Sequence, residues 1–153
     1  MIEVEIESPD WTSALAEADG VATRAAEAAL AGAEQDGDVV VLLTGDAEIA
    51  ELNQRHRRKP GPTNVLSFPA PESARPHLGD VAVAYGVTAR EASEQGKRLD
   101  HHLMHLVAHG VLHLVGYDHE DEAEAETMEA LERRVLAGLG APDPYAPRAD
   151  LGL

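Results

Sequence analysis

His109-Gly110-Val111-Leu112-His113-Leu114-Val115-Gly116-Tyr117-Asp118-His119 is the stretch on which the reading of this chain turns. His109 and His113 are four residues apart, so on a helix they project from one face, about one turn apart. A helix holds only two such ligands well, and the chain must turn back to supply a third. Gly116 stands where that turn is needed, because glycine takes the left-handed conformation that ends a helix at little cost. His119 can then return toward the first two. Three imidazoles around one ion leave a fourth position open to water, as in a catalytic zinc site rather than a closed structural one. The spacing therefore predicts one zinc per chain, held by His109, His113 and His119.

The helix that carries the first two histidines is predicted over residues 98–115. At about 100° per residue, Leu103, Leu106, Val107, Val111 and Leu114 gather on one face, with Gly110 among them. His102, His109 and His113 border that face, which leaves His102 as a neighbour of the ligands. His101 and His105 drift toward solvent and read as exposed polar residues. The histidines and Gly116 are in register with the long zinc-peptidase signature, His-Glu-x-x-His-x-x-Gly-x-x-His. Gly110 stands where that signature has its general base. The sequence keeps the metal cage and lacks the peptidase base.

Upstream, residues 2–6 alternate apolar and acidic and read as a half-buried strand. Residues 11–33 are alanine-rich and read as a helix interrupted near Gly20. The apolar run 39–43 has the pattern of a buried central strand. Asp46 is placed to cap a helix that runs to about Arg57, with Ile49 and Leu52 inward. Pro60-Gly61-Pro62 opens a loop, residues 63–68 form a short strand stopped by Pro69, and 69–78 form a surface loop. A strand over 80–85, a helix over 87–94 and a last helix over 123–139 follow. The tail from about residue 140 reads as loose. The seven acids between Glu120 and Glu132 read as a solvated helix face.

A chain of 153 residues without repeat or linker fits one domain, residues 1–153, with a core of useful size. The absence of cysteine removes disulfides and thiolate metal sites and fits a cytoplasmic protein. No signal peptide and no apolar run near the ~20 residues of a membrane span is visible. The net charge of −16 argues against generic nucleic-acid binding, which calls for a basic protein. Any such function must work through a local basic site. Arg55-His56-Arg57-Arg58-Lys59 is one, with four of the chain's twelve Lys and Arg residues in five positions. Arginine forks match phosphate oxygens, although cations at a helix end also suit the helix dipole.

Two segments together resemble the YbeY family. Leu52-Asn53, Arg57, Pro62-Thr63-Asn64-Val65-Leu66-Ser67-Phe68-Pro69 and Leu78-Gly79-Asp80 look like its upstream half, and residues 109–119 like its metal motif. Met128-Glu129-Ala130-Leu131-Glu132 and Asp143-Pro144-Tyr145 resemble it too. His56 departs from the aromatic residue of relatives, and Arg58 and Pro60 also vary. The resemblance implies a bacterial metal-dependent endoribonuclease acting on single-stranded RNA. It implies work in ribosome maturation, including the 3′ end of 16S rRNA, and in ribosome quality control, with the ribosome or small-subunit assembly factors as partners. No DNA and no membrane partner is expected. The implied fold is an α/β (α+β) sandwich, a mostly parallel four-stranded sheet with flanking helices, with the zinc on a central helix and the turn after it. His109, His113 and His119 match the family's zinc ligands, and Arg57 its functional arginine.

Elementary chemistry points the same way. A three-histidine zinc lowers the pKa of water toward ~7 and polarises a phosphoryl oxygen. Phosphodiester cleavage also needs a cation for the charge that builds on phosphorus, and Arg57 is the candidate. The base is left open among metal hydroxide, the RNA 2′-hydroxyl route and a side chain such as Asp118. Two rivals remain: a zinc peptidase, against which Gly110 counts, and a non-enzymatic ribosome-associated protein with a structural zinc.

Overall fold

The computed structural model describes residues 1–146. Its elements run β1 (Ile2–Ile6), α1 (Pro9–Ala14), α2 (Ala18–Gly32), β2 (Asp38–Thr44), α3 (Asp46–Arg57) and β3 (Val65–Pro69). After a short 3-10 turn at Glu72–Ala74 come β4 (His77–Ala84), α4 (Tyr85–Gln95), α5 (Leu99–Leu114) and α6 (Glu122–Gly138). The strands form one sheet in the order β1-β2-β4-β3. β1, β2 and β4 are parallel, and β3 runs antiparallel along the edge. This is the mostly parallel α/β arrangement the resemblance implied.

Alternation along β2 and β4 divides the core. Val39, Val41, Leu43, Val81 and Val83 face α2, α5 and α6. Ala82 and Ala84, with the half-buried Leu42, face Ile49 of α3 and Val87 of α4. A parallel sheet covered on both faces reads as near-continuous apolar runs, which is what 39–43 shows. α5 lies against α2 and over β3 and β4, so its C-terminal half is fixed to the sheet before any ligand is considered.

Gly110 explains how closely. A Cβ there would stand 2.6 Å from Val81 Cγ1 and 3.2 Å from Ser67 Oγ. The position that holds a glutamate in the peptidase signature here faces the sheet, and only hydrogen fits.

Several boundaries differ from expectation. The first helical region breaks at residues 15–17, and Gly20 lies inside α2; Leu15, in extended conformation, ends α1. Asp46 is not the cap of α3: Gly45 is, and the Asp46 carboxylate instead accepts from the Val87 N–H at the start of α4. Pro69 ends β3 from within, because an edge strand can spare the N–H that proline lacks. β4 starts three residues early, at His77, and Tyr85 opens α4. The tail is not loose as far as the structure describes it. Ala141 is buried, the Ala141 N–H donates to Leu136 O, and Lys97 Nζ donates to Pro144 O at 3.0 Å. Residues 147–153 of that expected loose tail lie outside the described residues.

Candidate metal centre and basic cleft

α5 carries His109 and His113 one turn apart, as the spacing requires. The helix ends at Leu114, and Gly116 takes φ +105°. Its N–H donates to His113 O, and the next N–H, from Tyr117, donates to Leu112 O. That turn brings His119 back over the helix end. One nitrogen from each of His109, His113 and His119 falls within 4.8 Å of the others. The Nε2 atoms of His109 and His113 are 3.2 Å apart. Two nitrogens at ~2.0–2.1 Å from a tetrahedral zinc would stand about 3.3 Å apart. The donor set therefore fits one such ion.

A buried carboxylate holds His109 in place. Glu132 on α6 is fully buried, and its Oε2 accepts from His109 Nδ1 at 2.9 Å. This fixes the tautomer and leaves His109 Nε2 for a metal. Glu132 Oε1 accepts from His105 Nε2 at 2.7 Å and from the Tyr145 hydroxyl. Burial alone would raise the Glu132 carboxyl, but the His105, His109 and Tyr145 hydrogen bonds outweigh it and bring it down to about 2. Burial, then the bond to the Glu132 carboxylate, pushes the Tyr145 hydroxyl well above its ordinary value. His113 is lowered by burial and by the neighbouring His109 and His119, with Asp118 opposing in part. A lowered value favours the neutral imidazole that binds metal.

The three histidines open onto a cleft of about 590 Å³. Arg57, at the last turn of α3, lines the same cleft, as do Thr63, Asn64 and Ser67. Arg58 takes a left-handed φ of 55°, and the buried Asn53 donates through Nδ2 to Gly61 O at 3.0 Å. These two features turn the chain sharply after Arg57. Arg55, by contrast, is paired with Glu51 on the outer face of α3. Asp118 also lines the cleft, and its Oδ1 accepts from the His119 N–H at 2.8 Å.

The structure thus brings together His109, His113, His119 and Arg57. Three expectations fail. His105 is not an exposed polar residue, because Glu132 holds it. Glu132 does not belong to the solvated acidic face, although most of that run does. His102 stands apart from the cleft, buried and bonded through Nε2 to Glu91 at 2.9 Å. Glu132 was findable in the sequence: it shares the i, i+3, i+4 stripe of Met128, Leu131, Val135 and Leu136, and a carboxylate in an apolar stripe needs partners.

Comparison with known proteins adds the lineage. Residues 4–140 match the family described as Endoribonuclease YbeY. Relatives of that name include one from Rhodopseudomonas palustris strain BisB18, 53% identical over 94% of this chain and 91% of its own length. Another, from Chelativorans sp. strain BNC1, is 49% identical over 95% of this chain and 100% of its own. Among solved structures, TM1509 from Thermotoga maritima is 27% identical, with TM-score 0.59 over 95% of this chain and 99% of that one.

Proposed function

The chain belongs to the endoribonuclease YbeY family, and on that premise we propose that residues 1–153 act as one zinc-dependent endoribonuclease domain. Its substrate in this reading is single-stranded RNA, in the processing of ribosomal RNA that is the family's work, and its setting is the cytoplasm beside the assembling small subunit. Among the described residues, no helix is long and apolar enough to cross a membrane. The observation that carries the reading is one cleft lined by three convergent imidazoles and an arginine.

His109, His113 and His119 would hold the zinc through nitrogen, with Glu132 keeping His109 in the metal-binding tautomer. Zinc there would supply Lewis acidity, polarising a phosphoryl oxygen and making water more acidic. Arg57 lines the same cleft and stabilises the negative charge that builds on phosphorus in the transition state. It makes no ion pair among the described residues, so its guanidinium is available to phosphate. A peptidase reading has less support, since the position of its base is Gly110, packed against Val81.

Zinc-loaded protein offered single-stranded RNA and casein in parallel tests this. RNA cleavage with intact casein is expected. Cleavage of casein alone would return the cleft to the peptidases, and cleavage of neither would leave a structural zinc.

A further inference from the structure

We propose that the outer edge of β3 reads the unpaired bases of the substrate strand, with the Ser67 N–H as donor and the Ser67 and Val65 carbonyls as acceptors. This rests on the RNA reading above and adds how single strands are selected. β3 is the sheet's edge, and its register against β4 is unbroken from Val65 to Pro69. At its two ends Ala84 N donates to Asn64 O and Ala70 N to Leu78 O, each at 2.9 Å. Antiparallel pairs alternate, so residues 64, 66, 68 and 70 turn their main-chain groups to β4. Val65, Ser67 and Pro69 turn theirs outward, and all three line the cleft that holds the histidines and Arg57.

That edge is nearly bare of donors. The Val65 N–H is taken by the Asn64 side chain at 2.7 Å, and Pro69 has none. The Ser67 hydroxyl points away and donates to Gly110 O at 2.9 Å, so what Ser67 offers the cleft is main chain. An added peptide strand wants a donor and an acceptor at every second residue, and this edge supplies the pair once. A base needs it once. Every base carries a donor beside an acceptor on its Watson–Crick edge, which the N–H and C=O of one outward residue complement. Pairing occupies that edge, so a duplex is refused while sequence is tolerated.

Ser67→Pro deletes the outward N–H without touching the β3–β4 ladder, because an edge strand accepts proline on its open side. Ser67→Ala is its reference, since both variants lack the hydroxyl. With equal zinc content, the proline variant should show a KM for unpaired RNA higher by on the order of tenfold than the alanine variant, at similar kcat. A second measurement uses the unaltered protein, zinc-loaded, titrated with a cleavage-resistant 2′-O-methyl oligonucleotide. The Ser67 amide resonance should shift and gain protection from exchange. RNA cleavage accompanied by an unmoved Ser67 amide, or equal KM in the two variants, would overturn the base-reading edge alone. A wild-type protein that cleaves casein and not RNA would overturn it together with the function it rests on.

Discussion

The two halves of α5 carry the same residue type to different ends. In the N-terminal half, His102 is buried and tied to Glu91, and His105 is tied to Glu132. In the C-terminal half, His109 and His113 turn a nitrogen each into the cleft, where His119 meets them. The distinction lies in what stands opposite. The first half faces carboxylates from α4 and α6, which take the Nε2 of His102 and of His105. The second faces the returning turn after Gly116, which adds a third imidazole, while the Asp118 carboxylate in that turn accepts from the His119 N–H. Glu132 joins the halves, since one carboxylate takes a bond from each. Whether a histidine on this helix turns a nitrogen into the cleft is decided by its other nitrogen's partner and by what the chain brings back.

Breaking the C-terminal half should have the largest effect. His113→Ala should reduce zinc from one per chain to little or none and abolish RNA cleavage, whereas His102→Ala should keep zinc and lose stability alone. Elemental analysis beside thermal melting checks this contrast, and zinc lost equally from both variants would erase it.

Arg57→Ala comes next. It should leave zinc and folding intact while lowering kcat by on the order of a hundredfold or more, the ~3 kcal/mol commonly lost with one transition-state cation. Arg57→Lys should recover only part, because an ammonium cannot reproduce the fork. Arg55→Ala, on the outer face of α3, should weaken RNA binding mildly and in a salt-dependent way. Equal tolerance of alanine at both positions would make the basic run a helix-end feature.

Glu132→Gln should then weaken zinc binding by about 10–100-fold, the usual cost of losing a partner behind a metal-binding imidazole. Chelator competition measures it, and unchanged affinity would reduce Glu132 to packing. Acid stability follows with a definite sign. The folded carboxyl lies below its ordinary 4.5, at about 2, so its contribution is present above 4.5 and is lost as pH falls from there toward 2. Metal-free wild type should shed more stability in that window than Glu132→Gln, in which the lowered Asp100 carboxyl still titrates. Smallest is Tyr145→Phe, which removes one of three donors to Glu132 and should cost about 1 kcal/mol in a denaturant melt.

How much of this was legible in the sequence follows the range of the forces involved. The four strands, the histidine-bearing helix α5 and its glycine stop are periodic or local, and they were readable. So was the convergence of the three histidines, because an i, i+4 pair and a three-residue return after Gly116 fix it within eleven residues. What escaped depended on contacts distant along the chain. Asp46 serves α4 rather than its own helix, 41 residues away. His105 looked exposed because nothing near it in sequence shows Glu132, 27 residues on, or Tyr145, 40 residues on. The tail looked loose for the same reason, since its order comes from Lys97 and Glu132. Glu132 itself was hidden among six acids that do face outward, and only its place in the apolar stripe set it apart.

The most direct measurement is the rate of single-stranded RNA cleavage by metal-stripped protein as zinc is returned, with His113→Ala alongside. Cleavage should rise with zinc, saturate at one equivalent per chain, and be absent from the variant at every zinc concentration. Cleavage by the stripped protein, or by His113→Ala at the wild-type rate, would contradict a three-histidine zinc centre as the seat of the activity.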